Sequence, residues 1–167
     1  MLSQVTVEGE EYVGLLGLAT DSYAILSPSF PETNALEVPE LRTHIYGTSL
    51  CGMFCVGNSN GLLVPSFVSE TEVKSLREFL DPLGVDIQAF RGKHTSLGVT
   101  VSCNDKAAIV SPLIEDFTVI EDVLDVEVVC MDLEGHLEVG SSLASTNKGF
   151  LAHPEESCLV EALTEIL

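Results

Sequence analysis

The sequence predicts an α/β repeat protein, a chain of related strand–strand–helix–strand blades in a propeller-like arrangement, with residues 1–167 as one repeat domain. Two observations carry this. The first is a recurring turn. Gly57-Asn58-Ser59-Asn60-Gly61-Leu62-Leu63-Val64-Pro65 returns as Ser102-Cys103-Asn104-Asp105-Lys106-Ala107-Ala108-Ile109-Val110-Ser111-Pro112. It returns again as Ser145-Thr146-Asn147-Lys148-Gly149-Phe150-Leu151-Ala152-His153-Pro154, with a worn copy at Leu18-Ala19-Thr20-Asp21-Ser22-Tyr23-Ala24-Ile25-Leu26-Ser27-Pro28. By subtraction, the closing prolines lie 37, 47 and 42 residues apart. Self-similarity at that period signals units that need their neighbours to bury an apolar face. The second is a pair of helix-start signatures after the turns, Ser69 with Glu72 and Thr118 with Glu121, each spaced as a capping box.

In the first unit, Val13 to Ala19 reads as a buried strand, the turn falls at Asp21-Ser22, and Tyr23 to Leu26 returns. Pro28, Pro31 and Pro39 leave room for at most one helical turn near Thr33 to Val38, and Thr43 to Tyr46 closes the unit as a strand. Asn and Gly in the turns suit the positive φ of short hairpin loops.

In the second unit Val73, Leu76 and Leu80 share a helical face, Pro82 and Gly84 stop the helix, and Val85 to Phe90 alternates as a half-buried strand. The third unit repeats the order, with Val119, Ile120, Val123 and Leu124 facing inward and Val126 to Cys130 as closing strand. The fourth begins at Val139 to Leu143, turns at Asn147 to Gly149, and ends in a helix with Leu159, Ala162, Leu163 and Ile166 inward. Approximate units are 1–46, 47–92, 93–135 and 136–167, the last without a closing strand and without a unit after it.

Composition limits the function. Seven Lys and Arg against 26 Asp and Glu give a formal charge of −19, and with no basic patch in view the chain is not expected to track DNA or another phosphate backbone. A basic protein partner, steered by the field, fits the charge. No apolar run reaches a membrane span and no secretory leader is visible, so the expectation is a cytoplasmic protein. Five cysteines, odd in number and set in apolar runs, read as reduced core thiols. Cys51 and Cys55, four apart in an expected strand, lie too far apart for one tetrahedral metal. His153 reads as a packing residue, and Glu155-Glu156 as charge at a helix start. No metal, cofactor or catalytic residue is expected.

Cys55-Val56-Gly57-Asn58 with Gly61 to Pro65, Ser96-Leu97-Gly98 with Cys103-Asn104-Asp105, and Val139-Gly140-Ser141 with Asn147-Lys148-Gly149 and His153-Pro154 resemble the translation initiation factor 6 family, the ribosome anti-association factors of archaea and eukaryotes. The resemblance runs from about Val13 to the C-terminus. It implies a pentein-type α/β propeller with four of five units present, and a non-catalytic function. The function it implies is binding the large ribosomal subunit and blocking joining with the small one, alongside ribosome biogenesis. The contact expected is a basic ribosomal protein with ribosomal RNA at the margin. Where the family carries polar residues on the ribosome-facing rim, this chain has Met53 and Val99. Asn58, Asn104 and Ser142 complete the expected ribosome-binding set, Asn58 foremost. An open ring would also leave faces free for self-association.

The pentein fold also hosts guanidine-modifying enzymes with a cysteine nucleophile. Cys158, near an expected helix start, with His94, His136 or His153 as base, is the candidate for that alternative. Its place among Leu159 and Val160 reads instead as a core thiol.

Overall fold

The computed structural model describes residues 6–7, 9, 12–32, 36–152 and 160–167. It is a mixed α/β fold of four small sheets, each opened by an antiparallel hairpin. β1 (Gly17–Ala19), β2 (Ala24–Leu26) and β3 (Glu40–Arg42) form the first sheet. β4 (Val56–Gly57), β5 (Gly61–Pro65) and β6 (Asp86–Phe90) form the second, and β7 (Val101–Cys103), β8 (Ala107–Val110) and β9 (Glu127–Cys130) the third. β10 (Leu143–Thr146) and β11 (Gly149–Ala152) are the described strands of the fourth.

In each three-stranded sheet the last strand runs parallel to the middle one. Such a return needs a crossover, supplied by helix α2 (Glu70–Leu80) in the second sheet and α4 (Thr118–Leu124) in the third. A helix α6 (Val160–Ile166) follows the fourth hairpin. Hairpin register repeats: Leu18 opposes Ile25, Val56 opposes Leu63, Ser102 opposes Ile109 and Ala144 opposes Leu151.

The core is made between sheets. Leu62 and Val64 pack with Ile25 of the preceding sheet, while Leu63 packs with Ala108, Val110 and α4 of the following one. Ile109 in turn packs with Val139, Leu143 and Leu163. This is why β2, β5 and β8 are buried along their whole length. Each middle strand must be apolar on both faces.

Local signals held where the chemistry was complete. Ser69 accepts from the Glu72 backbone N–H while Glu72 reaches back to the Ser69 N–H, so the capping box is formed. α2 ends at Leu80, and Gly84 takes φ +74° after a 3-10 turn.

Elsewhere the structure corrects the reading. Thr118 is already helical and cannot cap; Asp116 Oδ1 accepts its N–H at 3.0 Å instead. The first sheet closes at Glu40–Arg42, not at Thr43 to Tyr46, where Ile45 bridges Thr48 around Tyr46-Gly47. Val13–Leu16 is a 3-10 turn and only Gly17–Ala19 is strand. Ala162 is exposed, whereas Leu163 is buried. Residues 36–38 are not helical; 33–35 and 153–159, which hold Leu159, fall outside the described residues.

The turns are also built differently. Asn58 and Asn104 do not take positive φ. Each closes its turn by side chain: Asn58 Oδ1 accepts from Asn60 N and Gly61 N, and Asn104 Oδ1 from Lys106 N and Ala107 N. Gly61 is required for space, because a Cβ there would overlap the Val123 carbonyl oxygen.

Candidate functional site

Each hairpin is entered through a short helical turn that sequence periodicity did not reveal. Val13–Leu16, α1 (Cys51–Phe54), α3 (Leu97–Thr100) and α5 (Val139–Ser142) carry glycine at the same place, Gly14, Gly52, Gly98 and Gly140. Their backbones stack directly. A Cβ on Gly52 would overlap Gly14 O, one on Gly98 would overlap Gly52 O, and one on Gly140 would overlap Gly98 O. Steric fit alone therefore selects glycine at the three stacked positions.

The stack lines a hollow of about 550 Å³. Met53, Val99 and Ser142 stand on it, together with Leu15, Ser141 and Leu151. Three of the five residues singled out from sequence are thus brought together, all half-buried. Counting from the glycines, the place after each is Leu15, Met53, Val99 and Ser141, so Ser141 rather than Ser142 is the repeat-equivalent rim residue. Its hydroxyl donates to Glu138 O at 2.8 Å. The rim is small and apolar, with Tyr12 at its edge, 70% exposed.

Asn58 and Asn104 follow β4 and β7, at the strand ends away from the glycine-bearing turns, and, expected with the ribosome-binding residues, they face inward instead. They are 2% and 5% exposed, and both side chains staple neighbouring sheets. Asn58 Nδ2 donates to Asn104 O (3.1 Å) and Leu124 O (2.8 Å). Asn104 Nδ2 donates to Thr146 O (3.2 Å) and Leu167 O (3.1 Å). The shared pattern satisfies the carbonyl at the end of the next sheet's helix, α4 or α6.

Beside them the second turn residues form a polar network. Ser59 N and Oγ donate to Asp105, Asp105 N donates to Asn147 Oδ1, and Asn147 Nδ2 donates to both Asp105 and Asp21. Burial opposes ionisation of Asp105, but the bonds from Ser59 and Asn147 outweigh it and hold its carboxyl below the ordinary value.

No catalytic constellation is assembled by the described thiols. Burial pushes the Cys51 thiol up to about 11, the Cys103 thiol up to about 12, and the Cys55 thiol higher still, which is the direction of inert core cysteines. Cys130, expected in the core, is exposed at the end of β9. Cys51 opens α1 rather than lying in a strand. Cys158 and His153 fall outside the described residues, while His94 and His136 are exposed. Among the described residues, no group of three His, Cys, Asp or Glu could hold a metal ion, and no helix is long and apolar enough to cross a membrane.

Comparison with known proteins shows what the chain is similar to. The eIF-6 family model matches residues 2–167. Translation initiation factor 6 of Methanococcus vannielii is 35% identical over 178 residues, covering 100% of this chain and 78% of that protein. The protein of the same name from Methanococcus maripaludis strain C6 is 36% identical over 163 residues, covering 92% and 72%. That of Pyrococcus horikoshii is 32% identical over 166 residues, covering 93% and 73%.

Proposed function

This chain belongs to the eIF-6 family, and from that premise we propose that it is a cytoplasmic translation factor that docks on the large ribosomal subunit and sterically prevents joining with the small one, with a part in ribosome biogenesis. It acts by occlusion, without catalysis or cofactor. We read the four sheets as blades of a pentein-type α/β propeller, divided near 1–46, 47–92, 93–135 and 136–167. The docking face is the glycine-lined hollow. The observation that carries this choice is the convergence of Met53, Val99 and Ser142 on one concave surface, whereas Asn58 and Asn104 serve the fold.

The partner is a basic ribosomal protein, with ribosomal RNA at the margin. A charge of −19 favours cations, and the small apolar rim suits protein side chains more than phosphates. Subunit joining followed by light scattering tests the proposal. The chain should hold large and small subunits apart, and Val99→Asp should abolish the effect without lowering Tm. Joining unaffected by a folded wild-type chain would refute it.

Self-association is a second reading, favoured by one observation. Leu151 is 79% exposed, while Leu63 and Ile109, its repeat equivalents, are 0% exposed. Light scattering across a concentration series should show dimers that Leu151→Lys removes; a monomer throughout would dismiss this reading.

A further inference from the structure

Two connectors between sheets carry a bridged turn: Ile45 pairs with Thr48 around Tyr46-Gly47, and Leu133 with His136 around Glu134-Gly135. Both loop residues take positive φ in each, +54° and +67° in the first and +52° and +89° in the second. Such a turn favours Asn-Gly, and a bulky residue at positive φ is strained. The Tyr46 side chain is not buried in exchange, being 60% exposed. Strain held at an exposed aromatic points to a use for the ring.

The ring ends an aromatic row. Its centroid lies 4.7 Å from that of Phe67, and Phe67 lies 5.5 Å from Phe54, both edge-on. Phe54 follows Met53 in α1, and Phe67 follows β5 at its end toward α1. The row therefore lies at the glycine-turn end of the fold, where Met53 borders the hollow.

A fixed carboxylate stands at the same turn. Glu72 Oε1 accepts the Gly47 N–H at 3.0 Å, while Oε2 accepts the Ser69 N–H and hydroxyl. Burial opposes ionisation of Glu72, but the bonds from Ser69, Gly47 and Tyr46 outweigh it and hold its carboxyl below the ordinary value. These donors are neutral, and Glu72 makes no ion pair among the described residues, so its charge is not cancelled. Glu70, exposed in the first turn of α2, adds another. The cations of the adjoining elements are engaged elsewhere. Arg42 pairs with Glu40 and donates to Phe30 O, Lys74 pairs with Glu78, and Arg77 donates to Ile87 O. His44 is the other titratable side chain of the connector.

We propose that Tyr46 and Glu72 form a site for an arginine side chain of a basic partner segment. The guanidinium lies on the Tyr46 ring, with its charge toward the Glu72 carboxylate. A planar, weakly hydrated guanidinium stacks on aromatic rings, which favours arginine over lysine, and tyrosine and arginine are frequent interface anchors. The site deepens the docking reading above and rests on it for the partner, a basic protein. RNA fits less well: a base would stack on Tyr46, but its phosphates would meet the field of Glu70 and Glu72.

The test is an amide NMR titration of the folded chain with a peptide alternating arginine and glycine. The same peptide with citrulline for arginine, and a single-stranded uridine oligonucleotide, serve as controls. Shifts should centre on Tyr46, Gly47 and Phe67, and Tyr46→Asn should weaken binding about fivefold or more. That variant gives the turn its favoured Asn-Gly pair, so Tm should not fall. Glu72→Gln keeps a capping-box residue while removing the charge, and should weaken binding as well. Absence of binding, shifts centred elsewhere, affinity unchanged in Tyr46→Asn, or equal binding of either control would each overturn the proposal. Peptide binding is read on the isolated chain and docking by co-sedimentation with large subunits, so failure of one is told apart from failure of the other.

Discussion

Asn147 Nδ2 donates to Asp21 Oδ2 at 2.7 Å, joining the last described hairpin to the first across 126 residues of chain. The same amide donates to Asp105 Oδ2 at 2.6 Å, so one neutral donor separates two carboxylates. Asn147→Asp should therefore do more harm than Asn147→Ser, because it places a third carboxylate where the other two meet. We expect a loss of about 1–3 kcal/mol by urea unfolding, with more of it recovered by salt than for Asn147→Ser. Equal, salt-independent losses would argue against the charge account.

The glycine stack makes a sharper prediction. Gly98→Ala should cost more than about 3 kcal/mol or prevent folding, since its Cβ overlaps backbone that a rotamer change cannot move. Gly84→Ala meets open space and bears only the φ penalty of +74°, about 1 kcal/mol. Thermal unfolding of the two variants should separate them widely.

Asn58 should behave as a structural residue. Asn58→Ala removes the donor to Asn104 O and the acceptor of the Asn60 and Gly61 N–H groups, while Leu124 O keeps Asn60 Nδ2, at a cost of about 2–4 kcal/mol. At temperatures where the variant remains folded, its binding to large subunits should equal wild type.

The acid limb of stability follows from Asp105. Its folded pKa lies below the ordinary carboxylate value. Its contribution is therefore complete above the unfolded pKa, about 3.9, and is lost as pH falls through the lower folded value. Asp105→Asn should be less stable near neutrality and should lose less on acidification. Tm measured from pH 7 to pH 3 checks this.

How much was legible follows from what each signal encodes. The hairpin turns, the strand that follows the helix in the second and third units and the Ser69–Glu72 cap were readable because each is set by neighbouring residues; that this strand pairs parallel was not read. The four-residue turns at Cys51–Phe54, Leu97–Thr100 and Val139–Ser142 were not. None has a side-chain cap, and their helicity is fixed by glycine packing on glycine from another unit. The direction of Asn58 was equally hidden, since a polar turn residue suits an outward contact or an inward staple alike. Met53 and Val99 were found through family resemblance, which located the hollow without its geometry.

Docking on the large subunit is tested most directly by co-sedimentation of the purified chain with isolated large ribosomal subunits, at low and high salt, with small subunits as control. The expected result is pelleting with large subunits only, weakened by salt and lost in Val99→Asp while Tm is unchanged. A well-folded chain that stays in the supernatant, or a Val99→Asp variant that pellets as wild type does, would contradict it.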